Sequence, residues 1–335
     1  MSRILVTGGA GFIGSSLIDA LMRSKEHHQL IVFDNLSRGR IENISNWLGN
    51  QNFTFIQGDM LDHLLLENVV EGCDTVFHLA ANPIVALGTA DSKISYQQNL
   101  LTTYNLLEAM KKSPRCKKLI FTSTSAVYGE AKVMPTAETY SPLKPISLYG
   151  ATKLACEAII SGYCHMFDMS SAIVRLANII GPVNTHGVIY DFLIKLKDNP
   201  TKLDVLGNGK QNKSYLYIDD CTNALIKLLK MLLDETTTTT TFEIFNIGSD
   251  DTITVLEIAD IIIHKLSLTN VNIRLVDSLH GRGWKGDVKE YLLDSSKLKA
   301  KGWKPEFDSR SAVIRTVEEF LNQIDDSKKK TQYQR

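Results

Sequence analysis

The sequence predicts an α/β fold, in which a doubly wound parallel sheet is followed by a smaller C-terminal α/β substrate lobe. Short runs of β-branched and other apolar residues alternate with longer segments whose apolar residues recur every three or four positions. Such alternation of strand and helix is typical of a parallel sheet covered by helices on both faces. The run at 75–79 is apolar almost throughout, as expected for a central strand buried on both sides.

Each predicted element rests on one of these two patterns. Strands are expected at 4–7, 30–34, 53–58, 75–79, 118–123, 172–176 and 242–247. Helices are expected at 12–22, 99–110, 148–165, 219–233, 255–266 and 311–324. The order of these elements places most strands before residue 177.

After about residue 176 the pattern loosens, and turn signals such as Gly181-Pro182 and Gly207-Asn208-Gly209 follow closely. We therefore predict two domains between which the chain crosses more than once. The domain bounds are 1–177 with 217–247 for the larger domain, and 178–216 with 248–325 for the smaller lobe. The run Thr236–Thr241 is expected to form a surface loop, and residues 326–335 a flexible tail.

The charge balance excludes a general polyanion binder. The chain has 37 Lys and Arg against 37 Asp and Glu, so it has no overall attraction for nucleic acid or an anionic membrane. No apolar run approaches the roughly 20 residues that span a bilayer. We expect a small-molecule partner, with neither nucleic acid nor a membrane involved.

The five cysteines give no sign of a metal site or a disulfide framework. Their number is odd, and none has the spacing of a metal ligand. Reduced thiols and an N-terminus that runs directly into the first predicted strand favour a cytoplasmic protein without a metal.

The strongest local signal is the glycine-rich segment from Thr7 to Gly14, which follows the first strand and opens a helix. Its glycines let the backbone approach a pyrophosphate whose charge the helix N-terminus receives. Asp34 ends the second strand twenty residues after Gly14, where a carboxylate can accept both ribose hydroxyls of an adenosine. The larger domain is therefore predicted to be a Rossmann domain that binds NAD rather than NADP, although Arg38 and Arg40 lie nearby.

A tyrosine and a lysine four residues apart occur three times, and one pair suits acid/base chemistry. Tyr128 is followed directly by a glycine, and the segment after Tyr140 contains a proline that breaks helical geometry. Only Tyr149 and Lys153 lead into a convincing helix, where the ammonium can lie beneath the phenol. A nearby cation favours phenolate, so the phenol can act near neutral pH. A surface pair at helical spacing explains this pattern equally well when taken alone.

A run of hydroxyl side chains, 122–125, adds weight to the tyrosine–lysine pair. It ends a predicted central strand, at the edge where ligands of open α/β sheets bind. A hydroxyl there can bond the same substrate oxygen that the tyrosine protonates.

Hydroxyl, tyrosine and lysine in this order, after a dinucleotide loop, resemble the extended short-chain dehydrogenases/reductases, in the NAD-dependent epimerase/dehydratase family. The resemblance covers nearly the whole chain. It is carried by segments 7–14, 34–37, 78–81, 123–129, 149–153, 175–182, 207–220 and 286–287, and by Asn99.

The resemblance implies a role for each matching residue. Thr124, Tyr149 and Lys153 take the catalytic positions. The cofactor contacts implied are Gly8, Gly11, Phe12, Ile13, Gly14, Asp34, Asn35, Asp59, Met60, Leu79, Ala80, Ala81, Asn99, Tyr149 and Lys153. The substrate contacts implied are Ser123, Thr124, Asn178, Lys213, Arg282 and Tyr291. For Asp59 and Met60, a plain turn at the strand end is an almost equal explanation.

Two positions depart from the family pattern. Lys213 stands where many members carry an arginine that grips the diphosphate, and lysine cannot make that bidentate contact. Pro83 stands where some epimerases carry a lysine near the substrate. Tyr291 lies three positions before Asp294, where family members resembling this chain place a wall of the sugar pocket. Packing accounts for such an aromatic residue equally well.

The implied activity is reversible oxidation of a UDP-hexose at C4, giving 4-epimerisation of UDP-glucose and UDP-galactose, as in galactose metabolism. A 4,6-dehydratase needs an aspartate and a glutamate directly after the catalytic threonine, and a decarboxylase needs the glutamate. Ser125 and Ala126 stand there. The alternatives that remain are another nucleotide-sugar epimerase, including one that acts at another carbon, a 4,6-dehydratase or decarboxylase of the same family, and a non-enzymatic NAD sensor. The apolar helices 99–110 and 148–165 favour a homodimer or, nearly as well, burial within the chain.

Overall fold

A computed structural model describes residues 2–83, 91–234, 240–277 and 279–333, with side chains to residue 323. It has fourteen strands within those ranges. They are β1 Arg3–Thr7, β2 Gln29–Asp34, β3 Phe53–Gln57, β4 Thr75–His78, β5 Lys118–Thr124, β6 Ser170–Leu176, β7 Asn178–Ile180, β8 Lys202–Leu206, β9 Asn212–Lys213, β10 Tyr215–Tyr217, β11 Phe242–Ile247, β12 Ile253–Thr254, β13 Asn272–Val276 and β14 Glu290–Tyr291.

Ten helices accompany the strands in the described ranges. They are α1 Phe12–Arg23, α2 His63–Val70, α3 Ser92–Ser95, α4 Thr102–Lys112, α5 Leu148–Met166, α6 Val188–Asp198, α7 Ile218–Leu233, α8 Val255–Lys265, α9 Ser296–Lys299 and α10 Ser309–Tyr333. A π-helical turn, Tyr96–Leu101, joins α3 to α4, and short 3-10 helices occupy Ile41–Trp47 and Ser125–Tyr128.

The seven predicted strands form one parallel sheet in the order β11-β6-β5-β4-β1-β2-β3. The order reverses between β1 and β4, which opens a crevice at the C-terminal edge of the sheet where such folds bind ligands. The predicted doubly wound α/β class is confirmed. Two apolar cores, one on each face, contain α1 and α7 on one side and α2, α4 and α5 on the other.

The smaller lobe is built from short two- and three-stranded sheets, β10-β7, β12-β9-β14 and β13-β8, with α6, α8 and α10. The loosened pattern after residue 176 concealed β7 to β10, because strands of two to five residues are too short for a visible period. The crossing at β11 returns the chain to the main sheet. The exact division into two domains stays a prediction.

Two expectations about segments toward the C-terminus, the surface loop at Thr236–Thr241 and the flexible tail, stay predictions. The backbone of residues 326–333 continues α10, where a flexible tail is expected from 326. Lysine, glutamine and aspartate tolerate a helix, so a polar composition does not end one. Most of the threonine run lies outside the described residues, at 235–239.

His78 ties the two strands beside the crevice to a helix. Its Nδ1 lies 2.7 Å from the Thr7 hydroxyl of β1, and its Nε2 lies 3.0 Å from the Thr103 hydroxyl of α4. Complete burial lowers the pKa of the imidazole to about 3, so the ring is neutral in the folded protein. The neutral ring fixes the strand end from which the glycine-rich loop departs.

This histidine should make folding sensitive to acid. In the unfolded chain the imidazole takes up a proton below about pH 6.5, whereas in the folded chain it stays neutral down to about pH 3. The free energy of unfolding therefore falls by about 1.4 kcal/mol for each pH unit by which the pH drops between these values. We expect His78→Gln to flatten that slope, measured as the unfolding free energy against pH. An unchanged slope would assign the acid response to other groups.

Candidate active site

A cavity of about 1460 Å³ opens at the C-terminal edge of the sheet and runs into the smaller lobe. The ends of β1, β2, β4 and β5 line one half, and the segments around 178–193, 205–215 and 283–291 line the other. Nearly all predicted site residues border it. They are Gly8, Gly11, Phe12, Ile13, Gly14, Asp34, Asn35, Asp59, Met60, Leu79, Ala80, Ala81, Ser123, Thr124, Tyr149, Lys153, Asn178, Lys213 and Tyr291.

The glycine-rich loop forms a cradle that side chains would fill. Gly8 has φ +70°, and a Cβ there would lie 2.7 Å from the backbone of Ala80. A Cβ on Gly14 would lie 2.4 Å from the carbonyl oxygen of Gly8, so helix α1 packs directly on the loop. The N-cap residue of α1 is Gly11, which has no side chain to bond the first amides of the helix and which borders the cavity. Such a terminus receives a pyrophosphate.

Asp34 stands beside this cradle with a fixed carboxylate. Its two oxygens accept hydrogen bonds from the amides of Ala10, at 3.0 Å, and Leu36, at 2.8 Å. Burial raises the pKa of the carboxyl, and the two amides oppose that change. The residues of this half fit the adenosine ribose of a dinucleotide. Arg38 and Arg40 also border the cavity but are exposed.

Asp59 closes the next strand and orders its neighbours. One carboxylate oxygen accepts from the amide of Leu61 at 2.9 Å, and the other accepts from the side chain of Asn35 at 3.0 Å. The carbonyl of Met60 accepts from Asn105, a buried residue of α4. Asp59 and Met60 therefore form the turn at the end of β3 and also border the cavity.

The cavity wall brings together Tyr149, Thr124 and Lys153. The phenol of Tyr149 is hydrogen-bonded to the hydroxyl of Thr124. Nζ of Lys153 donates to the carbonyl of Thr122 at 2.8 Å and lies 4.5 Å from the centre of the Phe121 ring. One helix, capped by Ser147, thus presents both side chains to the end of β5.

The acidity of this group differs from the sequence-based expectation. Desolvation raises the pKa of Tyr149 to about 12, and the hydrogen bond from Thr124 only partly opposes it. Desolvation likewise lowers the pKa of Lys153 to about 8. The difference concerns the protein alone, where desolvation of the phenol outweighs the effect that lowers its pKa. The expectation itself also counts the positive charge of a bound nicotinamide ring, so it stays a prediction.

Ser123 turns away from the catalytic hydroxyl. It is buried and donates to Oε1 of Glu157 at 2.5 Å. A predicted substrate contact is thus occupied by a protein partner. Alternation along a strand explains this, since residues 123 and 124 point to opposite faces.

Buried tyrosines form a wall of the half of the cavity that lies toward the smaller lobe. The phenol of Tyr291 bonds Ser125 and the backbone of Asn178, and the phenol of Tyr215 bonds the side chain of Asn178. Burial raises the pKa of both phenols, so each is neutral and serves as a hydrogen-bonding wall. Sequence reasoning missed Tyr215, which lies two residues after Lys213 in the same motif.

The two predicted phosphate cations have different placements. Lys213 borders the cavity, with Nζ 2.6 Å from Oδ1 of the buried Asp287 and 5.3 Å from the centre of the Trp284 ring. Arg282 does not border the cavity. Its guanidinium bonds the carbonyl of Asp287 and, at 2.7 Å, the carboxylate of Glu130. The loop at 282–287 is thereby joined by an ion pair to Glu130, shortly after β5.

Asn99 likewise stands behind the cavity rather than on its wall. It is buried in the π-helical turn, and its side-chain oxygen accepts from the amide of Asn82 at 2.8 Å. It can support the loop after β4 but does not itself face the cavity. Among the described residues, no cluster of His, Cys, Asp and Glu suits a metal ion.

Comparison with known proteins gives a consistent set of relatives. The family model described as GDP-mannose 4,6 dehydratase matches residues 5–316. A putative UDP-glucose 4-epimerase of Methanocaldococcus jannaschii is 32% identical over 324 residues, covering 95% of this chain and 98% of the relative. In the described part of the chain, no helix is long and apolar enough to cross a membrane.

Solved structures of two activities share the fold. A crystal structure of a UDP-galactose 4-epimerase has a TM-score of 0.83 and 39% identity, covering 96% of this chain and 99% of that chain. A dTDP-glucose 4,6-dehydratase from Streptomyces venezuelae, with NAD and TYD bound, has a TM-score of 0.86 and 27% identity. That match covers 96% of this chain and 97% of the other. Fold similarity alone therefore does not separate the two reactions.

Proposed function

The chain belongs to the NAD-dependent epimerase/dehydratase family of extended short-chain dehydrogenases/reductases, and on this premise we propose that it catalyses 4-epimerisation of a UDP-hexose, UDP-glucose or UDP-galactose. It is an enzyme of nucleotide-sugar chemistry, and its cofactor is NAD. The glycine cradle, the uncapped start of α1 and the carboxylate of Asp34 suit that dinucleotide.

The observation that carries the proposal is the bonded pair Tyr149–Thr124, followed in the chain by Ser125 and Ala126. Dehydration requires a carboxyl group beside the sugar. Among the described residues bordering the cavity, the carboxylates are Asp34, Asp59, Asp191 and Asp287. The first two hold backbone amides at the cofactor end, and the last two are ion-paired to lysines. This arrangement supports oxidation and return without removal of water.

Each catalytic residue then has a task in proton handling and orientation. NAD, held by the glycine cradle and Asp34, would supply reversible hydride chemistry at C4 of the sugar. Tyr149 removes the proton of the 4-hydroxyl and later restores it, while Thr124 hydrogen-bonds the same oxygen. Lys153 stabilises the phenolate when charge develops on it. The walls formed by Tyr215, Tyr291 and Asn178 must let the 4-keto sugar turn over before reduction.

A panel of nucleotide sugars tests the proposal. The purified protein is incubated with UDP-, GDP- and dTDP-hexoses and with UDP-glucuronic acid, without added NAD, and the products are identified. We expect interconversion of UDP-glucose and UDP-galactose. A 4-keto-6-deoxy product would instead support a dehydratase, and a pentose product a decarboxylase. Binding of NAD with no product from any sugar would favour a sensor.

The carboxylate of Asp34 should select the cofactor. A 2′-phosphate would face a carboxylate already held by two amides, so we expect NAD to bind at least about tenfold more tightly than NADP. Titration of cofactor-free protein with each dinucleotide measures the ratio. Asp34→Asn removes the charge of the side chain with little change in its shape, so this variant should have a lower ratio of NAD affinity to NADP affinity. Equal wild-type affinities would mean that Arg38 or Arg40 neutralises the site.

Tyr291 should exclude a 2-acetamido group. Its ring is buried beside Ser125 and Asn178, so a larger sugar would clash while turning over. We expect wild type to favour the UDP-glucose pair over the N-acetyl pair by roughly 10–200-fold in kcat/KM. Tyr291→Ser should relax this ratio, whereas Tyr291→Phe, which keeps the ring, should preserve it. Equal wild-type efficiency on both pairs would exclude Tyr291 as the gate.

Location and assembly are part of the same proposal. All five cysteines are free and buried, which suits the cytoplasm. Tyr96, Tyr104, Leu148 and Met166 are exposed on and around α4 and α5, and we propose that these helices form a homodimer. Light scattering at micromolar protein concentration measures the oligomeric state, and a monomer would refute the proposed homodimer.

A further inference from the structure

One face of α5 contacts three consecutive residues at the end of β5. Tyr149, Lys153 and Glu157 follow each other at intervals of four, so they share that face. They bond the hydroxyl of Thr124, the carbonyl of Thr122 and the hydroxyl of Ser123 respectively. The first two contacts belong to the proposed chemistry. The third contact, between Glu157 and Ser123, lies outside it.

Glu157 is locked by an ion pair inside the protein. Arg175 of β6 donates through Nη2 to Oε2 at 2.7 Å and through Nε to both carboxylate oxygens, at 3.1 and 3.2 Å. The two side chains are 4% and 3% exposed. Arg175 lies directly opposite Ser123 in the parallel register of β5 and β6. The carboxylate therefore joins two strands and a helix at the level of the catalytic hydroxyl.

The same arginine also holds the far side of the catalytic turn. Its Nη1 donates to the phenol of Tyr128 at 2.9 Å, and that phenol donates to Oδ1 of Asn246 at 2.7 Å. Tyr128 ends the 3-10 helix that Thr124 caps. The segment from Ser123 to Tyr128 is thus held at both ends by one buried pair.

We propose that Glu157 and Arg175 are positioning residues, which set the distance between the Thr124 hydroxyl and the Tyr149 phenol through Ser123. This inference rests on the proposed function and assigns Ser123 to the support of the site rather than to the sugar. A buried carboxylate with all its partners in place cannot rotate to follow a shifted strand, because an unpaired oxygen would be costly. Displacements of about 1 Å in a reacting group cost up to about 10²-fold in rate.

Ser123→Ala is the direct test, because it removes one hydroxyl and leaves the ion pair intact. We expect kcat at neutral pH to fall roughly tenfold, with the KM for the sugar and the content of NAD unchanged. The hydrogen bond from Thr124 lowers the pKa of Tyr149. Ser123→Ala should weaken that hydrogen bond and so move the rising limb of the kcat–pH profile to higher pH. A loss of stability alone would not shift the profile. Ser123→Thr, which keeps the hydroxyl, should restore both values.

Ser113→Ala is the matched control. Ser113 is also buried and accepts amide hydrogen bonds, but it lies near the opposite end of β5, away from the cavity. Thermal unfolding of both variants measures the cost to stability, and only Ser123→Ala should move the pH profile. An unchanged kcat and profile in Ser123→Ala overturns the proposal, and so does a change confined to sugar KM. Wild type without activity on any UDP-hexose would instead refute the proposed function.

Discussion

Replacing Tyr149 by phenylalanine should lower the epimerisation rate by about 10²–10⁴-fold while leaving NAD bound. In the proposed mechanism the phenol of Tyr149 exchanges the proton of the sugar 4-hydroxyl, since it bonds Thr124 and borders the cavity. The variant keeps the ring that fills the space against β5. The rate of conversion of UDP-galactose to UDP-glucose and the cofactor content per chain are the two measurements.

Tyr140→Phe is the matched control for this variant. Tyr140 begins another tyrosine–lysine pair of the same spacing, its hydroxyl accepts from the amide of Lys132, and it does not border the cavity. Its loss should leave the rate within about twofold, since an exposed neutral hydrogen bond contributes little. Near wild-type activity in Tyr149→Phe would refute the assignment of Tyr149 as the acid/base.

The placement of Tyr149 and Lys153 on one helix was predictable because the choice among three candidates depended on local geometry. A glycine directly after Tyr128 and a proline after Tyr140 are visible in the sequence, and both oppose a helical turn. The structure places Tyr149 and Lys153 in the first turns of α5, as expected. The seven main strands were predictable for a similar reason, since buried parallel strands are continuous apolar runs. The roles of these residues in turnover remain predictions.

Residues whose roles depend on distant partners could not be assigned from the sequence. Ser123 and Thr124 are adjacent hydroxyls, and only the packing of α5 against β5 shows that Ser123 bonds Glu157. Arg282 carries the expected charge, but the fold pairs it with Glu130, far away in the chain. The pKa of Tyr149 depends on desolvation, which no spacing reveals. The hydrophobic pattern of the sequence predicts strands and helices, whereas the pKa values and contacts of the site residues depend on burial and on side-chain partners distant in the chain.

The buried ion pair gives the largest expected effect on stability. Arg175→Met leaves Glu157 charged and buried without its guanidinium, and breaking a buried pair in this way costs about 3–5 kcal/mol. Urea unfolding at neutral pH measures the loss. The double variant Glu157→Met with Arg175→Met removes both charges and should recover much of the stability, because apolar residues of similar volume can replace a buried pair.

Arg274→Met provides a comparison of the same chemistry at the surface. Arg274 also makes a two-pronged contact with a carboxylate, Asp204, but its side chain is 59% exposed and water replaces the lost partner. Its unfolding midpoint should stay close to wild type. Two outcomes would contradict this prediction. One is an Arg175→Met variant that loses as little stability as Arg274→Met. The other is a double variant that is less stable than Arg175→Met, which would mean that the unpaired charge of Glu157 is not the cause of the loss. The double variant also separates the effect on folding from the effect on catalysis. It lacks the Glu157–Ser123 contact that is proposed to hold Thr124 against Tyr149. We therefore expect a lower kcat than in wild type even though the variant is well folded.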